Sequence, residues 1–248
     1  MTQPIFTILP FAVSNDALPR IPASDISLMG PVELEAYETW AFGNSAASLT
    51  GAKSGRMLTP QGSVSYFNDY LRVPLSSANG LVSDVPEIAS QTDTMAMVMR
   101  FSTLTGSTSA LLGTINGGTG GGLLLSASAF SHNQRGLTGV TQATGISAVE
   151  GEWRFVAISR DFSAATKTVR ILIGGESLFT DDGGTGSYVP APSGRFLSFG
   201  NAYLTSGSTA VMDIAESAIW RKALSGDELT TAYQRAKIRM AARGITIV

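Results

Sequence analysis

The chain has no cysteine. Disulfides and thiolate metal sites are therefore excluded, a composition that suits folding in a reducing cytoplasm. There is one histidine, His132. A zinc site built on imidazoles is excluded with it, and any Ser-His-Asp relay would have to use this single ring. His132 lies in Ser131-His132-Asn133-Gln134, a polar stretch without a nucleophile elbow, and is read as a surface residue. Charge is scarce: 15% of residues are charged, and the formal net charge is −2. No basic field exists for nucleic acid. The start, Met-Thr-Gln-Pro-Ile-Phe-Thr-Ile-Leu-Pro, has no basic region and is broken by Pro4 and Pro10. Neither a signal peptide nor a membrane span is expected there. Gly117-Gly118-Thr119-Gly120-Gly121-Gly122 is followed by neither Lys-Ser/Thr nor a helix, so it is a hairpin turn and not a phosphate loop.

What is present is an all-β pattern. Trp153, Phe155, Ala157 and Ser159 alternate with Arg154, Val156, Ile158 and Arg160, and Thr168–Ile173 follows a polar turn, which predicts a hairpin. Further strands are expected at Val32–Phe42, Tyr70–Pro74, Thr94–Phe101, Ser109–Ile115, Gly122–Ala127, Gly194–Asn201 and Met212–Trp220. In Val32–Phe42, Glu38 interrupts the apolar row and is assigned to an edge or rim. Residues 130–148 read as a weakly patterned strand-and-loop region, and Glu176–Val189 as a loop. Ser225-Gly226-Asp227-Glu228 is a capping box, and Leu229, Ala232, Tyr233, Ala236 and Met240 share one face of the helix it starts. Gly244 sits where a C-terminal cap glycine belongs. Residues 1–31 hold five of the ten prolines amid much apolar side chain, and predict an extended arm. Three parts follow: the arm 1–31, a sandwich 32–224, and a helix with a short β tail, 225–248.

Trp153, Val156–Ile158, Val169–Gly175 and the run Ile214 to Leu229, ending Ala-Leu-Ser-x-x-Glu-Leu, resemble the laminin-G-like branch of the concanavalin A-like lectin-glucanase superfamily. Tyr70-Leu71-Arg72-Val73-Pro74 is similar to an early strand of that family. The resemblance implies a jelly-roll sandwich of two antiparallel sheets, a fold that serves lectins, glycosidases, adhesion modules and virion parts alike. Glycosidases of this fold carry Glu-x-Asp-x-x-Glu on one strand, because retaining hydrolysis needs two carboxyl groups about 5 Å apart. The matching run here is Val211-Met212-Asp213-Ile214-Ala215-Glu216, with Val211 at the nucleophile's place. Asp213 and Glu216 fall on opposite faces unless a bulge intervenes. Asp213 is assigned to a strand and a loop contact, Glu216 to solvent, and no catalytic residue is expected.

Trp40, Trp153 and Trp220 are assigned to packing, so sugar-stacking aromatics are sought at Tyr66, Tyr70, Tyr188 and Tyr203. No cofactor is required. If calcium binds, as it does at the rim of many relatives, Asp181 and Asp182 are the place. The resemblance, the missing signal peptide, the missing cysteine and the low charge together lead to a bacteriophage virion protein (tail, fibre or capsid-associated), non-enzymatic and located in the particle; the alternatives are a carbohydrate-binding receptor-recognition lectin module and, second, a glycoside hydrolase of this fold. The expected partners are copies of itself and other virion proteins, met through residues 1–30 and 245–248, with a host-surface glycan as a further ligand. Neither nucleic acid nor membrane insertion is expected. The tail Ile245–Val248 is β-branched and has no turn to pair it with the sandwich, so it is expected to seek another chain.

Overall fold

In the computed structural model, residues 33, 35–87, 92–105, 107–139 and 141–248 are described. Two antiparallel sheets stack face to face. The larger sheet runs, in space, β10 (Leu137–Thr138), β14 (Phe179–Gly186), β13 (Lys167–Ile173), β12 (Arg154–Asp161), β6 (Thr92–Thr103), β16 (Val211–Trp220), β4 (Leu71–Pro74) and β3 (Ser65–Tyr66). A ninth strand, β1 (Glu38–Ala41), pairs with the second half of β16. The smaller sheet runs β11 (Thr141–Ser147), β9 (Ala129–Gln134), β8 (Gly121–Ser126), β7 (Ser109–Gly113), β15 (Phe196–Asn201), β5 (Asn79–Pro86) and β2 (Thr59–Gln61).

The period of two decides what lies between the sheets. Met95, Met97, Met99 and Phe101 point inward from β6, with Val156 and Ile158 from β12 and Met212 and Ile214 from β16. Leu111, Leu123, Leu125, Phe130 and Phe199 meet them from the other sheet. Trp40 and Phe199 make an edge-to-face contact at 5.9 Å in this core.

The outward residues of the larger sheet are buried too. Ala96, Val98, Phe155, Ala157, Leu172, Ala215, Ala218 and Trp220 form a second core under helix α1 (Gly226–Ala241). Small alanines on the sheet, and Ala232 and Ala236 on the helix, let the two surfaces approach closely. The expected capping box is present, with Ser225 Oγ accepting from the Glu228 amide and the Glu228 carboxylate accepting from the Ser225 amide. Just beyond the helix end, Gly244 takes the left-handed conformation expected of a capping glycine, at φ 75°. Beyond it, the Ile245 amide donates to the Met240 carbonyl.

Several expectations change. The tail is not unpaired: Ile245 and Ile247 are buried under the helix, and the Val248 amide donates to the Trp153 carbonyl. Gly174 makes room for it, because a Cβ there would lie 2.8 Å from both the Val248 oxygen and the Tyr233 ring. The first strand is shorter than Val32–Phe42. Residues 35–37 form a turn and bend, Val32 and Leu34 lie outside the described residues, and so do the arm 1–31 and the partner contacts assigned to it. Glu38 is no rim residue. It is fully buried and accepts from the amides of Thr39, Lys53 and Ser54 and from the Ser54 hydroxyl. Burial works against its charge, but those donors prevail and hold its carboxyl below the ordinary value of 4.5. The supposed loop 176–189 contains β14, whereas 130–148 holds strands and loops as expected.

Candidate functional site

Clefts indent the described surface at two places of interest. One, beside the start of α1, is lined by Glu33, Glu35, Asp227 and Glu228, and its Glu33 is already paired with Arg235 and Arg239. The other lies over β8 and β9 beside Leu124, Ala129 and Ser131. Aromatic rings and arginines also gather on the uncovered part of the larger sheet's outer face.

There, three neighbouring strands place charged residues in one row. Asp213 on β16 lies opposite Arg72 on β4 and Arg100 on β6. Asp213 is 0% exposed. Arg72 donates to it through Nε at 2.7 Å and Nη2 at 3.1 Å, and Arg100 through Nε at 2.9 Å. The hydrogen bonds to Asp213 raise the Arg72 guanidinium above its usual value despite partial burial. Both arginines remain about one-third exposed at the side chain (34% and 28%). Two guanidiniums against one carboxylate leave one positive charge in this row.

Aromatic rings fix the guanidinium planes. Tyr70 precedes Arg72 by two residues and so shares its face. Its ring stacks on Phe67 at 4.6 Å and meets Trp153 edge-on at 5.8 Å. Arg100 lies over the Trp153 ring at 4.8 Å and over Tyr70 at 5.1 Å, and Arg72 lies over Phe67 at 5.0 Å. These are cation–π contacts. The C-terminal tail supports Trp153 through the Val248 bond. The result is a solvent-facing patch with rigid N–H donors, chemically suited to polar, oxygen-rich or anionic ligands.

Of the four tyrosines expected to meet sugars, only Tyr70 joins this patch. Tyr66 packs against the main core. Tyr203 donates to the Phe196 carbonyl at 2.8 Å, and burial raises its hydroxyl pKa. Tyr188 is drawn into a buried polar cluster, where it donates to Glu87 at 2.8 Å, and burial pushes its pKa well up. Trp153, assigned to packing, is half-buried in the patch. Trp40 and Trp220 are packing residues, both buried. Phe67, Arg72 and Arg100 were missed. The available signal was a lone charge in an apolar strand, Met99-Arg100-Phe101 and Met212-Asp213-Ile214, in a chain with little charge.

The paired carboxylates also differ from expectation. A bulge between Ile214 and Glu216 puts Asp213 and Glu216 on the same outer face. Glu216 is not in solvent. It is 5% exposed beneath α1 and accepts two hydrogen bonds from Arg239, at 2.8 and 2.6 Å. Asp213 is satisfied by arginines and not by a loop.

Asp181 and Asp182 do not converge, since Asp181 is buried and Asp182 exposed. Among the described residues no three His, Asp or Glu side chains gather as a metal-binding group. Asp181 instead faces His132 at 3.5 Å. His132 is no surface residue either: it is 1% exposed and neither ring nitrogen has a hydrogen-bond partner. Burial holds its pKa down to about 4. The folded ring therefore stays neutral where the unfolded chain, titrating near 6.5, takes a proton, and stability must fall as pH drops from about 6.5 toward 4. Burial also raises the Asp181 carboxyl above its ordinary 3.8, which gives an opposing slope. At about 1.4 kcal/mol per unit, His132 alone removes about 2 kcal/mol between pH 7 and pH 5, so urea unfolding at pH 5 should show a loss of stability no larger than that. His132→Leu should flatten that difference. An unchanged wild-type midpoint would contradict the assignment.

The sandwich architecture can be placed by comparison. The family model of the concanavalin A-like lectin/glucanases superfamily matches residues 75–230. The chain belongs to this superfamily. No curated protein sequence matches it. Among solved structures, the concanavalin A-like sandwich here is similar to the receptor binding domain of botulinum neurotoxin D, at 12% identity and TM-score 0.55, over 81% of this chain and 52% of that one. It is similar to the Trypanosoma rangeli sialidase, at 12% identity and TM-score 0.60, over 84% of this chain and 34% of that one. It is also similar to the binding domain of Paraclostridial Mosquitocidal Protein 1, at 11% identity and TM-score 0.59, over 79% and 51%. The chain thus spans about half the length of the two binding domains and a third of the sialidase. At such identities the likeness establishes the fold alone.

Proposed function

We propose that the protein is a non-enzymatic carbohydrate-recognition module, with the Arg72–Asp213–Arg100 row and its aromatic rings as the binding surface. The observation that carries this reading is the row itself: exposed guanidiniums held rigid by a buried carboxylate and by cation–π contacts. Such a surface is preorganised, which lowers the cost of binding. The superfamily and two neighbours described as receptor binding or binding domains agree with it. Hydrolysis is disfavoured because Asp213 and Glu216 are each tied to arginine and Glu216 lies under α1. The expected results are binding of the labelled chain on an array of bacterial surface polysaccharides and glycans, and no release of reducing ends from the bound ones. Glu216→Gln should change neither. An array with no positive would overturn the reading, and reducing ends lost on Glu216→Gln would return the enzyme.

A second reading, favoured by the proline-rich apolar arm and the low charge, places this module in a bacteriophage virion, as a homo-oligomeric part in assembly or host attachment. With the tail folded against its own sheet, residues 1–30 are left as the contact segment. Native mass measurement should show several chains, and deletion of residues 1–29 should reduce them to one. A single-chain mass for the full-length protein would contradict this.

A further inference from the structure

We propose that the ligand of this patch carries a sugar carboxylate, received by the Nη1–Nη2 edge of Arg100; the proposal rests on the carbohydrate reading of the same site. The two arginines are not used alike. Arg72 gives Asp213 its Nε–Nη2 edge, whereas Arg100 gives only Nε. Among the described residues no acceptor meets Nη1 or Nη2 of Arg100. The end of its guanidinium is therefore an open fork of two parallel N–H donors, the geometry that a planar carboxylate matches in bidentate fashion.

The plane of this fork is fixed. Tyr70 and Trp153 both lie against the guanidinium, at 5.1 and 4.8 Å. Asp213 is fully buried between the two strands that carry the arginines, so its oxygens stay bound to them. The row keeps one unmatched positive charge, which a carboxylate ligand neutralises.

A neutral sugar finds less here. Stacking of a neutral ring needs an open aromatic face. Tyr70 already has Phe67 stacked at 4.6 Å and 13° and Arg100 over its ring, and Trp153 has Arg100 over its own. The rings serve the guanidinium, and the guanidinium edge is what remains for a ligand.

The test is titration of the full chain with two matched pairs. These are 3′-sialyllactose against lactose, and a galacturonic acid trisaccharide against its methyl ester. In at least one pair the acid should bind about tenfold or more tightly than its neutral twin, as a charge-assisted contact predicts. The pair that responds identifies sialic or uronic acid as the source. Arg100→Lys keeps the charge beside Asp213 but loses the fork, and should weaken the acid about tenfold, so that the preference for the acid over its neutral twin collapses. If acid and neutral forms bind equally, or if Arg100→Lys binds the acid as wild type does, the carboxylate proposal is overturned while the carbohydrate reading stands. If only neutral glycans bind on the array, the same holds. If no glycan of any kind binds, both fall. Should Arg100→Lys not fold, the wild-type Trp153 indole resonance decides: it should move with the acid and not with its neutral twin, and a still resonance overturns the proposal. Trp40 and Trp220 are buried and serve as internal references.

Discussion

Arg160→Met is expected to destabilise the protein by about 3–5 kcal/mol, the usual cost of removing one partner from a buried ion cluster. Arg160 is 1% exposed, at the end of the space between the sheets. It donates to Asp93 at 2.8 and 2.6 Å and to Glu87 at 3.1 Å. Burial opposes its charge, but the Asp93 carboxylate beside it, with Tyr188 and Glu87, raises its pKa far above the usual value. Methionine fills similar volume but leaves Asp93 buried without its cation. Glu87 would suffer less, since it also accepts from the Thr114 hydroxyl, Tyr188 and the Ala191 amide. The double change Arg160→Met with Asp93→Leu should therefore recover more than half of the loss, because replacing a buried pair by apolar groups is often neutral. Urea unfolding of both variants measures this. A single-variant cost under about 1 kcal/mol would mean that water reaches the cluster.

Arg239→Met should cost about 3 kcal/mol or more, by the same logic, and its effect should be local to the helix. Arg239 joins α1 to β16 through Glu216 and to residue 33 through Glu33, at 3.2 Å. Burial is again opposed by the carboxylates, and the Arg239 pKa is raised. Glu33 keeps Arg235 at 2.8 Å, so Glu216 is the group left buried and unpaired. Hydrogen exchange should rise across α1 and the second core beneath it, while β7, β8 and β15 keep their protection. Uniform loss of protection would show that the helix is part of one cooperative unit with the sandwich.

Both clusters show why the sequence was legible in some places and not in others. The hairpin β12–β13, the closing strand β16 and the capped helix are local patterns, and each stands close to where alternation and capping predict. The strands with polar, glycine-rich sequence did not announce themselves: β14 reads Phe-Thr-Asp-Asp-Gly-Gly-Thr-Gly and is a strand because β13 and β10 pair with it. The burial of Glu38, Glu216 and His132 depends on groups distant in sequence, the 52–56 loop, α1 and β14, which period-two reading cannot supply. The same is true of the candidate site. Tyr70 and Arg72 share a face by alternation alone, but joining them to Arg100, Trp153 and Asp213 needs the register of three strands. Glu216 needed one bulge to change face, and a single extra residue is invisible to a pattern that counts by twos.

The central claim is that a carbohydrate is held on the outer face of the larger sheet, beside α1. It is tested most directly by a crystal structure of the protein with the tightest glycan found on the array. The account predicts ordered sugar density against Arg100, Arg72 and Trp153, with the glycosidic bonds intact. Sugar bound at the loops, in the cleft over β8 and β9, or at the acidic cleft of α1, with the arginine row empty, would contradict it.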